Sequence, residues 1–132
     1  NDAHNAYFDV MQYASYARSI YPQKRVLRPS DVSFASICAK EAACREAQIH
    51  YLKIIEDIET TPELLTTLTA YLLDHESSMA NTAKALCCHI NTIKYRLNSI
   101  RDNTGYSPSK PADVYPLLIA VAINRMKNSE NE

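Results

Sequence analysis

The feature that most narrows what this chain can fold into is a three-residue corner, Cys87-Cys88-His89, inside the segment Thr82 to Ile100. Upstream of it, Asn81 to Leu86 reads as a short helical stretch marked by Ala83 and Leu86. Downstream, Ile93, Leu97 and Ile100 recur at intervals of four and three, the pattern of a helix with one buried stripe. Three residues are too few for a free loop, so the chain must turn sharply and the two helices must cross steeply. Ala83 is small where the second helix would cross. This is the geometry of a helix-turn-helix, whose second helix can enter the major groove of DNA.

A chain of 132 residues can hold one core or two small helical lobes sharing an interface. With a single Gly and no Trp, it favours helices over tight hairpins. Residues 5–21 place Tyr7, Val10, Met11, Ala14, Ala17 and Ile20 or Tyr21 on one helical face, ended by Pro22. The aromatic residues Tyr7, Phe8, Tyr13, Tyr16 and Tyr21 are expected in a core or interface rather than around a ligand. Pro22 to Pro29 reads as extended or irregular, with at most one short extended segment near 25–28, and Lys24, Arg25 and Arg28 as solvated loop charges. Ser30 or Asp31 offers an N-cap for a helix from about Val32, and the stretch 32–58 is compatible with one helix or two. His50 has no second ligand type at metal-binding spacing and reads as structural or surface.

Thr61, Pro62 and Glu63 agree on a helix start: a cap, a proline at the first position and an acid in the first turn. That helix carries Leu64, Leu65, Leu68, Tyr71, Leu72 and Leu73 to about His75. Ser77 or Ser78 can cap the short helix before the corner. Gly105 supplies a left-handed end to the longer helix after it, and Tyr106 to Pro111 reads as a loop. Asp113 can cap a last helix, Val114 to Met126, with Pro116 in its first turn, closing the core under the two hinged helices. The expected division is a helical segment over 1–60, a helix-turn-helix domain over 61–127 and a disordered tail over 128–132.

The formal net charge of −1 conceals a polarity along the chain. Residues 54–78 carry six acidic residues and no Lys or Arg, whereas 79–110 carry Lys84, Lys94, Arg96, Arg101 and Lys110 against Asp102 alone. A basic module follows an acidic one, and local positive fields of this kind supply nonspecific DNA affinity through counterion release. Cys38, Cys44, Cys87 and Cys88 match no zinc template and are expected to be buried apolar thiols, a usage that suits a reducing cytoplasm. No apolar run approaches the roughly 20 residues of a membrane span and no signal peptide is visible. The chain opens at Asn1 and enters a helical pattern almost at once, so a segment of a longer polypeptide is expected. No nucleophile set, phosphate-binding glycine loop or metal spacing is present, so an enzyme, a cofactor and a metal are not expected.

At Thr82-Ala83, Leu86, His89, Asn91-Thr92-Ile93, Tyr95-Arg96-Leu97 and Ile100, the sequence resembles the C-terminal helix-turn-helix of bacterial regulators of the PucR/CdaR type. The resemblance covers about residues 62–126, including the leading helix around Leu64 to Leu72 and the apolar helix over 114–126. It implies an all-α fold, a helical lobe followed by a helix-turn-helix domain of the Fis-like kind. It further implies a transcriptional regulator, with an effector-sensing regulatory domain upstream in the same polypeptide, of which the segment 1–60 would be the tail. The recognition helix would run from about Ile90 to Asn103, with His89, Ile90, Asn91, Thr92, Lys94, Tyr95, Arg96, Asn98 and Lys84 as DNA-binding candidates. The residue chemistry agrees: an Asn amide can pair with an adenine edge, and Lys94, Arg96 and Lys84 are the phosphate candidates. Two positions depart from the family pattern. Ile90 stands where the family commonly has a basic residue, and Ala80 where it has a small hydroxyl residue, which either moves the cap to Ser78 or leaves it weak.

The expected function is therefore a sequence-specific DNA-binding module, with double-stranded DNA as partner, a homodimer as the assembly and the cytoplasm as its location. The rival reading is a helical oligomerisation or partner-binding module without direct DNA contact, built on the tyrosine-rich first helix and the acidic stretch 54–78.

Overall fold

Proline, acid and glycine set most of the helix ends, but the breaks between 43 and 56 come from packing. The computed structural model describes residues 13–130, and among these the regular structure is entirely helical. Residues 13–20 form α1; the part of the tyrosine-bearing helix that holds Tyr7, Phe8, Val10 and Met11 lies outside the described residues. Residues 21–28 are irregular, with a bend at Arg25 and Val26 where the extended segment was expected.

Helix α2, Pro29–Ala43, starts three residues earlier than the expected Val32. Its cap position is Arg28 rather than Ser30 or Asp31, because Pro29 has the fixed φ suited to the first helical position. Asp31 instead occupies the third position. There its carboxylate accepts the Arg28 N–H at 2.9 Å and the Lys24 Nζ at 3.0 Å, the backward half of a capping box.

The stretch 32–58 is neither one helix nor two. After α2 come α3, Arg45–Ile54, and the short α4, Glu56–Glu59, separated by the extended Cys44 and by Ile55. No Gly or Pro forces these breaks. They let α2 and α3 both lie against the last helix while α4 turns towards the helix-turn-helix. Ile54, Ile55 and Ile58 are buried as a result. Each fully buried Ile contributes roughly 1.5–3 kcal/mol. That outweighs the few backbone hydrogen bonds lost at each break, worth about 1 kcal/mol apiece.

Helix α5, Pro62–Thr69, begins as expected with Pro62 at the first position, although the Thr61 side chain makes no capping bond. It widens into a π-helical turn, Ala70–Asp74, in which His75 N–H reaches the Ala70 carbonyl at 2.9 Å. Glu76 and Ser77 then take positive φ values of 48° and 62° and swing the chain into α6, Met79–Ala85. Helix α7 spans Ile90–Thr104 and ends at Gly105, whose φ of 80° is the left-handed conformation that favours glycine.

The last helix, α8, is Pro111–Glu130, longer at both ends than the expected 114–126. It starts early because Pro111 takes a first-turn position. Asp113 is thereby moved inside the helix, where it accepts the Ser107 N–H at 3.0 Å. Pro116 lies in the second turn rather than the first, so the Ala112 carbonyl has no N–H four residues on. Asn128, Ser129 and Glu130, assigned to the tail, continue the helix.

Helix α8 is the middle of the molecule. Leu117, Ile119, Ala120, Val121, Ala122 and Ile123 are all fully buried, which a surface helix with one apolar stripe cannot achieve. Helices α2 and α3 cover one side of it, and α5 with the π turn covers another. Ala17, Ile20, Ala35 and Cys38 share one core with Leu64, Ile93 and Met126, so residues 13–60 and 61–127 are joined by apolar packing. The bidentate pair between Arg125 and Asp74, at 2.7 and 2.9 Å, adds a polar tie. Arg125 also donates to the Ile20 carbonyl at 3.0 Å.

Candidate nucleic-acid interface

The corner is built by the chain's own backbone. Cys88 N–H reaches back to the Ala83 carbonyl at 3.0 Å and Cys87 N–H to the Lys84 carbonyl at 3.3 Å, with Cys87 at a positive φ of 55°. Ala83 is 5% exposed, so the absence of a larger side chain is what lets α6 and α7 cross there. Ser78 caps α6 by accepting the Asn81 N–H at 3.1 Å, as the departure at Ala80 implied. The buried Thr82 hydroxyl donates to the Ser78 carbonyl at 2.7 Å.

His89 is the N-cap of α7, its Nδ1 accepting the Asn91 N–H at 3.0 Å. Accepting at Nδ1 requires an unprotonated nitrogen, so a neutral His89 carries its proton on Nε2. That atom is the one left to meet a partner. Ile93, Leu97 and Ile100 are buried as the spacing required, but the packing beneath them differs from expectation. Helix α7 rests chiefly on α5, α6 and the short α4, rather than on α5 and the last helix.

Asn91, Lys94, Tyr95 and Asn98 follow the i, i+3, i+4, i+7 spacing of one helix face, and all four are exposed, Tyr95 to 73%. Thr92 is half-buried at the edge of this face, and Lys84 is exposed in the last turn of α6. Two candidates fall elsewhere. Ile90, at the first position of α7, is half-buried and packs against the apolar core. Arg96 is also half-buried. Its Nη1 donates to the Thr67 hydroxyl of α5 at 3.2 Å, and Thr67 is fully buried. Its charge is therefore engaged inside the domain. At 100° per residue, Arg96 lies about 160° around α7 from Lys94, so the two stand on different sides of the helix.

One exposed cation on α7 was overlooked. Arg101 is seven residues beyond Lys94, which places it within about 20° of Lys94 on the wheel. That spacing was the available signal. Its guanidinium touches Asp102 at 3.3 Å, an exposed pair worth little.

The thiols divide by environment. Cys38 is buried and its thiol is pushed up to about 12 by desolvation, reinforced by Glu41. Cys88 is half-buried, while Cys44 and Cys87 are exposed, contrary to the expectation that all four would be buried. Among the described residues no three His, Cys, Asp or Glu side chains converge as metal ligands. No helix among them is long and apolar enough to cross a membrane.

Residues 64–123 match the family model of the PucR C-terminal helix-turn-helix domain. Uncharacterised proteins of Mycobacterium bovis and of two Mycobacterium tuberculosis strains are each 40% identical to the chain over 65 residues. The matched segment is 49% of this chain and 16% of each relative. The chain therefore spans a small part of the length of these relatives. No solved structure matches it.

Proposed function

We propose, from the membership of residues 64–123 in the PucR C-terminal helix-turn-helix family, that this chain is the sequence-specific DNA-binding module of a bacterial transcriptional regulator. Helix α7 is the recognition helix and lies in the major groove. The observation that carries the reading is the exposed face Asn91, Lys94, Tyr95 and Asn98, presented by a helix whose opposite face is locked by Ile93, Leu97 and Ile100. The Asn amides are placed to read base edges and Lys94 to hold a phosphate. Tyr95 supplies an apolar ring with a hydroxyl. Half-sites about 34 Å apart would be read by two copies of α7 in a homodimer. The effector domain lies upstream in the same polypeptide, and the protein acts in the cytoplasm.

The test is selection from a random duplex library with the purified chain. An enriched motif is expected, and Asn91→Ala with Asn98→Ala should erase part of it. Each lost bidentate contact costs about 1–3 kcal/mol, roughly 5- to 150-fold in discrimination. Recovery of no motif at low salt would sink the sequence-specific reading. Sedimentation of the chain as a monomer in the presence of a selected palindrome would sink the dimer.

A further inference from the structure

The face of α7 is electrically lopsided. On one flank Lys94, Asn98 and Arg101 follow at intervals of four and three, all exposed. On the other flank the only cation, Arg96, is tied to Thr67. The charged flank also borders a cleft of about 210 Å³, lined by Lys94, Asn98 and Arg101 on the helix side and by Ser107, Pro108 and Ser109 across from them. The space would hold several waters at about 30 Å³ each, and so admits a phosphate group.

The far wall is largely self-satisfied. The hydroxyls of Ser107 and Ser109 lie 3.0 Å apart and Ser109 N–H donates to Ser107 Oγ at 3.3 Å. Of the nearby carboxylates, Asp113 is held by the Ser107 N–H. Asp102 is held only by Arg101, through two 3.3 Å contacts on exposed side chains.

Resting on the DNA-binding reading above, we infer that this cleft seats a phosphodiester of the DNA backbone between Lys94 and Arg101. The recognition helix thus leans on one strand of its groove through this flank, not through Arg96. Arg101 exchanges its exposed Asp102 partner for the phosphate as the complex forms. Such contacts set register and orientation without reading bases, so they act on all sequences alike.

The experiment measures affinity of the intact chain for two short duplexes of unrelated sequence across a salt series. Arg101→Ala should weaken both duplexes by about the same factor, on the order of tenfold at low salt, and lower the salt slope by roughly 0.9. Asp102→Asn, which frees Arg101, should tighten both by roughly two- to fivefold. Arg96→Ala should leave the slope unchanged. The inference is overturned if Arg101→Ala binds with the slope of the parent chain, or if it alters one duplex much more than the other. It is likewise overturned if inorganic phosphate raises the melting temperature of the parent and not of Arg101→Ala while both bind DNA with the same salt slope, which would assign the cleft to a free anion. Absence of any binding by the parent chain at low salt would instead remove the DNA-binding reading itself. Because Arg101 and Asp102 are both exposed, unchanged melting temperatures are expected and keep the comparison interpretable.

Discussion

Replacing Thr67 by Val tests whether Arg96 is a strut of the domain or a cation held out for DNA. The substitution keeps the shape of a fully buried side chain and deletes the oxygen that accepts Arg96 Nη1 at 3.2 Å. A hydrogen bond from a charged donor is worth about 1.5–3 kcal/mol when buried. Arg96 is half-buried and its freed nitrogen can turn to water, which reduces the expected coupling to about 1 kcal/mol. For 132 residues at about 2.1 cal/mol/K of unfolding entropy each, 1 kcal/mol corresponds to roughly 4 °C in Tm. Arg96→Ala alone would mix this bond with lost stem packing, so a double-mutant cycle is the proper measurement. Thermal unfolding of the parent, Thr67→Val, Arg96→Ala and the double variant should give a coupling of about 1 kcal/mol, with the salt slope of DNA binding unaltered in Arg96→Ala. A coupling of zero, together with a slope that falls by about 1 in Arg96→Ala, would refute the strut and restore Arg96 as a phosphate contact.

Other expectations concern the rest of the frame. Arg125→Ala should destabilise by about 1–2 kcal/mol, since it loses a bidentate pair whose side chains are 24% and 30% exposed and also the Ile20 carbonyl. Asp74→Ala should cost less, and chemical denaturation showing the reverse order would contradict the assignment of the tie. Cys87→Gly should stabilise by a few tenths to about 1 kcal/mol. Relief of a left-handed non-glycine residue is worth about 1–2 kcal/mol and is partly offset by the freer unfolded chain; a lower Tm would show that the exposed Cys87 side chain makes contacts that matter. A thiol reagent should label Cys44 and Cys87 in the folded chain and Cys38 only after unfolding. Because the Cys38 pKa is raised from 9.0 to about 12, its contribution is complete below pH 9.0 and is lost as pH climbs towards 12. The alkaline fall in Tm should therefore be smaller in Cys38→Ala, and an equal fall would assign the loss to other groups.

The parts legible in advance were those that local chemistry decides. Pro62, Ser78 and Gly105 mark helix ends because a fixed φ, a side-chain acceptor and a left-handed backbone each act within a turn of where they stand. The stripe Ile93, Leu97 and Ile100 needs only helical period to be read. Asn91, Lys94, Tyr95 and Asn98 follow as its exposed complement.

Less legible features were those in which distant segments meet or two local signals compete. Arg96 looks like any other cation on a basic helix until Thr67, on another helix, is seen to face it. Ile90 reads as a DNA-facing candidate from its place at the start of α7, and only the fold shows it half-buried against the core. Asp31 and Asp113 read as caps, yet a proline upstream of each moved the helix start and left the carboxylate inside the first turn.

By itself the sequence determined that residues 62–126 form hinged helices with one inner stripe and one polar face, because periodicity and end signals are properties of neighbours in the chain. Only the tertiary structure decided that α2, α3 and α4 break where they do, that α8 is buried on several sides, and that the unengaged positive charge of α7 is confined to one flank. Those outcomes depend on which apolar faces compete for the same core and which buried oxygen reaches a guanidinium. A one-dimensional pattern does not carry that information.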